Sequence, residues 1–134
     1  MFAVLSFWAA GTLQAQTGTL ILDVLHPAAE SADVRVALYT TAENWLEEPV
    51  YTAIEPATDT LTVVTFTDLA TGIYGAAVFL DENRNGELDR NLIGWFKEPF
   101  AFSKEARARF GPPKWEDAVF DITDEPLRLN IRME

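Results

Sequence analysis

Residues 61–80 read Leu61-Thr-Val-Val-Thr-Phe66, then Thr67-Asp-Leu-Ala-Thr-Gly72, then Ile73-Tyr-Gly-Ala-Ala-Val-Phe-Leu80. The first segment is rich in β-branched residues, which fit the pleated surface of a strand. Residues 68–72 carry turn-forming side chains and end in a glycine, and an apolar run follows them. This part of the sequence therefore predicts two strands joined by a short turn.

Segments on either side of this pair have the same character. Each is rich in β-branched residues or alternates apolar with polar ones, at residues 19–25, 34–38, 118–122 and 127–131. His26-Pro27 closes the first of these runs, and Glu55-Pro56 precedes residues 61–66, as expected of turns. Short strands at this spacing, without a strong helical period, predict an all-β fold, an antiparallel β-sandwich of about seven strands.

Residues 81–117 fit the strand pattern less well and are predicted to form a long loop excursion from the sandwich. Within them, residues 103–109 are the one candidate for a helical turn, with Ser103 as its cap. Phe110-Gly111-Pro112-Pro113 would restrict the path of the chain towards the next strand.

Charge and cysteine content narrow the classes of function. The chain has 134 residues with 10 Lys and Arg against 21 Asp and Glu, which gives a net charge of −11. Such a surface repels nucleic acids and anionic membranes and favours cations. The absence of Cys excludes disulfides, thiolate metal sites, a cysteine nucleophile and a lipoprotein anchor.

The amino-terminal residues have the pattern of a secretory signal. Residues 2–10 are almost wholly apolar, and Ala15 is the small residue expected before a cleavage site. We therefore expect a signal peptide at 1–15, a single sandwich domain at 16–134 and a periplasmic or secreted protein. A run this short falls well below the ~20 residues that cross a bilayer, so no transmembrane anchor is expected. A buried first strand or an ordinary disordered terminus is the alternative.

Residues 81–89 have the spacing of a calcium loop. Oxygen ligands recur at every second position, with Gly86 for the sharp turn, and the candidate ligands are Asp81, Asn83, Asn85, Glu87 and Asp89. Leu92 stands where an EF-hand has its bidentate Glu, so a further carboxylate or water is needed. The sequence predicts a structural calcium ion here, and a solvated hairpin loop is the alternative.

Residues 95–115 combine aromatic and basic side chains. The candidate contact residues for a protein or glycan partner are Trp95, Lys97, Phe102, Arg107, Arg109 and Trp115. The aromatic residues could equally fold the segment back onto the sandwich. Buried rings would favour packing, and rings that line a cleft would favour a carbohydrate or small-molecule site.

Little in the sequence indicates catalysis. His26 is the only histidine, and no motif links it to Ser31 or Ser103 in a triad. A hydrolase with clustered carboxylates is a weaker alternative because carboxylate separations cannot be read from a sequence. We therefore expect a protein that is not an enzyme.

A resemblance to a known family supports the same interpretation. It rests on Gly72 to Phe79, the 81–89 loop, Gly94, Lys97-Glu98-Pro99, Phe102-Ser103 and Phe110-Gly111-Pro112-Pro113. These motifs resemble the bacterial exported domain of unknown function 2141, from about Thr17 onwards. The resemblance implies a secreted or periplasmic sandwich of the prealbumin or immunoglobulin kind, similar to transthyretin-like and carboxypeptidase regulatory domains. It implies no particular activity.

Overall fold

The computed structural model describes residues 16–29, 31–84, 98–106 and 113–133. In these ranges the chain forms eight strands, one short α-helix and one 3-10 turn. The strands are β1 (Thr17–Leu25), β2 (Asp33–Tyr39), β3 (Tyr51–Pro56), β4 (Leu61–Ala70), β5 (Gly72–Asp81), β6 (Phe100–Phe102), β7 (Phe120–Ile122) and β8 (Leu127–Arg132). The 3-10 turn is Ser103–Glu105, and the helix α1 is Trp115–Ala118.

The strands make two sheets that pack face to face. One sheet has the order β4-β1-β8, and the other has the order β3-β2-β5. The second edge of β5 is shared, since β7 pairs with residues 72–74 and β6 with residues 77–79. The predicted all-β sandwich is confirmed.

The core forms between the alternating inward side chains of both sheets. On β1 the fully buried residues are Leu20, Leu22 and Val24, and on β2 Val34 and Leu38 are equally buried. Burial of each such side chain contributes about 1.5–3 kcal/mol. A slip of one residue would turn every one of them to solvent, so the same pattern also holds the strand register.

Two features of the sheets differ from the sequence prediction. β8 pairs with β1 in parallel, with Leu22 beside Leu129, so the sandwich is not purely antiparallel. Glu55 and Pro56 belong to β3 and not to a turn. Pro56 is tolerated there because β3 is an edge strand and Pro56 is its last residue. Side-chain alternation is the same for both strand directions, so the sequence could not distinguish them.

The predicted long loop at 81–117 is also more ordered than expected. Asp81 ends β5, residues 100–102 form β6, residues 103–105 form the 3-10 turn and residues 115–118 form α1, so the described part of this segment is not one continuous loop. The strand predicted at 118–122 begins later, at Phe120. β6 was not predicted because a strand of three residues gives too few alternating positions to be recognised from sequence.

The connection between β4 and β5 is a tight corner. Thr71 alone separates the strands, and Gly72 adopts a φ of 146°, which favours glycine. Tyr74 then reaches back across the corner, where its hydroxyl donates a hydrogen bond of 2.6 Å to the Ala70 carbonyl. Burial raises the pKa of Tyr74, and the neighbouring Tyr51 raises it further. The ring and hydroxyl together hold β4 against β5.

We expect Tyr74→Phe to lower the free energy of unfolding by about 1 kcal/mol because the hydrogen bond to Ala70 is lost. The raised pKa means that the folded state keeps its phenol proton when the unfolded chain releases it. The wild-type protein should therefore lose stability as the pH rises above about 10, and the variant should lose less. Urea unfolding between pH 8 and 11 measures both effects. Equal pH dependence in the two proteins would contradict this role.

Candidate functional site

The predicted calcium loop begins at a buried ion pair. Asp81 is the last residue of β5 and is fully buried. Arg35 of β2 donates a hydrogen bond from Nε to Oδ2 of Asp81 over 2.7 Å. The guanidinium thus offsets the charge of the first candidate ligand, which otherwise would be costly to bury.

A hydrogen bond joins the last residues of the loop to the first. Glu98 is buried, and its Oε2 accepts a hydrogen bond of 2.7 Å from the backbone N–H of Glu82. Beside it, the N–H of Leu80 donates to the Pro99 carbonyl over 2.9 Å. Residues 82 and 98 are therefore held together, and a second carboxylate is present at the base of the loop.

The next residues of the loop lie at the surface. Asn83 and Arg84 are exposed. Arg84 makes an ion pair of 3.4 Å with Asp33, with half of the Arg84 side chain accessible to solvent. An exposed pair of this kind contributes less than about 1 kcal/mol. Asn83 is exposed where the loop begins, so it remains a candidate ligand.

The remaining candidate calcium ligands, Asn85, Glu87 and Asp89, lie outside the described residues. Within the described ranges, no three His, Asp or Glu side chains come together as a metal site. Calcium binding by the complete loop therefore stays a prediction.

Aromatic side chains form a cluster on the outer face of the five-stranded sheet. Trp45 lies at its centre, with ring-centroid distances of 5.2 Å to Tyr39, 5.5 Å to Trp115 and 6.0 Å to Phe102. The indole N–H of Trp45 donates to the Pro113 carbonyl over 2.8 Å. Edge-to-face contacts of this kind add about 0.5–1.5 kcal/mol beyond burial alone. The cluster fastens α1 and the residues before it to the sheet.

Gly75 makes room for this cluster. A Cβ atom at Gly75 would lie 2.8 Å from Trp115 and 2.9 Å from Trp45. Trp45 was not among the residues singled out from the sequence. A tryptophan amid the polar residues 40–49 was the available signal, because a large ring in such a segment usually anchors it.

Two of the predicted contact residues lie in the aromatic cluster. Phe102 is buried and Trp115 is half-buried, and both rings belong to the aromatic cluster. This favours packing for these two rings over a line of rings along a cleft. Trp95, Lys97, Arg107 and Arg109 lie outside the described residues, so their predicted contacts stay predictions.

Ser103 joins β5, β6 and α1. The 3-10 turn that it begins has no side-chain cap, so the predicted capping role is wrong. Its hydroxyl instead accepts a hydrogen bond of 2.9 Å from the Ala76 N–H and donates one of 2.6 Å to the Ala118 carbonyl. Ala76 lies between the parts of β5 that pair with β7 and β6. The hydroxyl supplies a bond that neither short strand provides.

His26 is part of the packing at the β3–β4 end of the sandwich. Its Nδ1 lies 2.8 Å from the Pro27 carbonyl, and its Nε2 lies 2.7 Å from the Thr62 hydroxyl. A carbonyl only accepts, so Nδ1 is the donor of the bond to Pro27. Thr62 in turn accepts a hydrogen bond of 3.0 Å from the Thr58 N–H. His26 therefore has a structural role in this part of the sandwich.

The described residues thus define a class of protein: a β-sandwich with a buried ion pair on one sheet and a hydrogen bond that joins residues 82 and 98. The sequence profile of the family described as "Uncharacterized protein conserved in bacteria" (DUF2141) matches residues 22–130. The chain belongs to this family. No curated protein and no solved structure matches it. Among the described residues no helix is long and apolar enough to span a membrane.

We expect Arg35→Gln to lower the free energy of unfolding by about 2–3 kcal/mol because the fully buried Asp81 loses the hydrogen bond from the Arg35 guanidinium. The double variant Arg35→Gln with Asp81→Asn should recover part of this loss, since the amide carries no charge. Arg84→Gln is the matched control at an exposed ion pair and should change stability by less than about 1 kcal/mol. Urea unfolding of the four proteins measures this, and equal effects at positions 35 and 84 would contradict it.

Proposed function

We propose that this chain is a non-catalytic, exported β-sandwich module whose loop 81–89 binds calcium. The ion orders the loop and supports residues 95–115 as a contact segment for a protein or glycan partner. The observation that carries this proposal is the pair of buried carboxylates at the base of the loop, Asp81 and Glu98. Carboxylate oxygens are the ligands that calcium prefers, and these two stand at the two ends of the loop.

Glu98 can supply the carboxylate ligand that residues 81–92 lack. The residue at the bidentate position of an EF-hand is Leu92 here, so a loop of this kind needs a carboxylate from elsewhere. Glu98 is bonded to the backbone of Glu82, one residue after the first candidate ligand. We assign Glu98 as that further carboxylate, beside Asp81, Asn83, Asn85, Glu87 and Asp89.

Arg35 limits the affinity of such a site. Its guanidinium is bonded to one oxygen of Asp81 and offsets the charge that would attract a cation. A structural ion with a dissociation constant on the order of 10⁻⁴ to 10⁻³ M is the expectation, as in extracellular modules. Magnesium should bind more weakly because it demands a stricter octahedral shell.

The contact segment is attached to the sandwich at two places. β6 and Ser103 hold residues 100–103 to β5, and the bond from Trp45 to Pro113 holds the chain before α1. Arg107 and Arg109 lie between these two attachments in the sequence. Anchors on both sides lower the entropy lost when the residues between them bind a partner.

Calcium titration of the protein by calorimetry should give weak binding that Asp89→Asn and Glu98→Gln each reduce several-fold or more. Asp89→Asn is the cleaner variant because it leaves the ion pair of Arg35 and Asp81 intact. Glu43→Gln removes one exposed acid outside the loop and is the matched control. Arg35→Gln should bind calcium more tightly than the wild type, since a repelling cation is removed. An absence of calcium heat in the wild type would remove the proposal.

Hydrogen exchange then tests the link between the ion and the contact segment. Calcium should add protection in residues 81–115 and change little in β1 or β8. Uniform protection would indicate global stabilisation by mass action. No change at 95–115 would leave calcium as a ligand of the loop alone and would overturn the proposed support of the segment.

Export makes a separate prediction. Amino-terminal sequencing of protein recovered from the periplasm or the medium should begin at Gln16, since Ala15 is the small residue before the expected cleavage site. Replacing Ala15 with Asp, a poor residue for signal peptidase, should leave the precursor uncleaved. A cytosolic protein that retains Phe2 would contradict export.

A further inference from the structure

β4 lies at an edge of the three-stranded sheet. It pairs with β1 along one side, and no described strand pairs with its other side. Such an edge presents unpaired backbone groups to which another chain can add a strand. The free edge of β4 is therefore a place where a partner can bind by main-chain hydrogen bonds.

The direction of these backbone groups follows from the ladder. The His26 N–H donates to the Thr60 carbonyl over 3.0 Å, which makes 26 and 60 a hydrogen-bonded pair at the end of the β1–β4 ladder. Pairs alternate in an antiparallel ladder, so residues 62 and 64 also face β1, whereas Leu61, Val63 and Thr65 face outwards. The N–H of Leu61 agrees with this, since it bonds to Thr58 and not to β1.

This edge lacks the usual protection against strand addition. Residues 60–67 contain no charged residue and no proline. Leu61 and Val63 are 44% and 45% exposed, and both lie on the outer face beside Thr65. Natural edge strands are commonly guarded by lysine, proline or a bulge. Here the register irregularity opposite residues 18–20 of β1 lies beyond Phe66, so the stretch before it is regular.

Acidic residues stand at both ends of this unguarded stretch. Asp59 precedes β4 and Asp68 lies near its end, and both are exposed. Both have positive φ values, 47° and 56°, which places them where the strand path changes. Neither carboxylate has a basic partner in the part of the chain that the structure describes. The ends of an added strand would therefore meet negative charge.

This charge pattern argues against a second copy of the chain as the occupant. Antiparallel pairing of two β4 strands would bring Asp59 of one copy close to Asp68 of the other at both ends. Parallel pairing would place like residues side by side. Like charges opposite each other in a sheet destabilise it, and each copy carries a net charge of −11.

We propose that the free edge of β4 binds an extended segment of a partner protein by strand addition. The segment carries small apolar or β-branched side chains that lie beside Leu61, Val63 and Thr65, and basic residues at its ends that meet Asp59 and Asp68. This site is on the opposite sheet from Asp81 and the aromatic cluster and is independent of calcium.

A labelled peptide of alternating threonine and valine with a lysine at each end is the probe, and fluorescence anisotropy with the intact protein is the measurement. The lysine-ended peptide should bind, and the same peptide with glutamate ends should bind at least about tenfold more weakly. Thr65→Pro removes one outward N–H without removing a bond to β1 and should weaken binding at least about tenfold. Thr65→Val keeps the N–H and is the matched control.

A second variant guards against misfolding of the proline protein. Val63→Lys with Thr65→Lys keeps every N–H, places two charges on the outer face and should also abolish binding of the lysine-ended peptide. Circular dichroism confirms the fold of each variant. Binding that both variants leave unchanged would overturn the proposal, as would no binding of the peptide by the wild type. Sedimentation of the wild type as a dimer that Thr65→Pro dissolves would identify a second copy as the occupant and overturn it too.

Discussion

The rest of this structure depends on the pairing of β5 along both of its edges. One edge is paired with β2 from Gly75 to Asp81. The other edge receives β7 and β6 in turn, and the Ser103 hydroxyl bonds to Ala76 where neither strand does. Buried backbone groups must be satisfied, so two short strands and one serine complete what a single long strand would otherwise provide. This arrangement brings the chain before β6 and the chain before β7 to the same side of the sandwich.

The candidate site follows from that arrangement. β5 ends at Asp81, and the strand that returns beside it begins directly after Glu98 and Pro99, so both ends of the loop meet at one edge of the sheet. Arg35 on β2 offsets the charge of Asp81 at this point. The aromatic cluster around Trp45 holds α1 and the residues before it against the sheet at Gly75. Membership of an uncharacterised bacterial family indicates no activity, so the chemistry of the loop carries the functional proposal.

The sandwich also has two unlike surfaces. The five-stranded sheet carries the ion pair of Arg35 with Asp81 and the aromatic cluster on its outer face. The three-stranded sheet presents a regular edge at β4, apolar on its outer face and flanked by two acids. The exposed ion pair of Arg128 with Asp23 lies on this second face, where Asp23 raises the pKa of Arg128. An edge strand without protective charges or proline can pair with another chain. The two surfaces are therefore the subject of separate proposals.

Apolar or β-branched runs at residues 19–25 and 61–66 and the alternation at 34–38 were enough to predict these strands, because strand propensity and the side-chain period are local. The buried face of β4 was not predicted, since Leu61 is exposed and Thr62 is buried. The calcium-type spacing at 81–89 could also be recognised from the sequence, because it depends on residues close together in the chain, and it remains a prediction. The tertiary structure alone decided that β8 lies parallel to β1, that Arg35 pairs with Asp81, and that Glu98 bonds to Glu82. These contacts join residues far apart in the chain, or across an intervening loop, and no local period records them. The roles of Ser103 and Trp45 belong to the same group: each fills a gap that exists only once the sheets have formed.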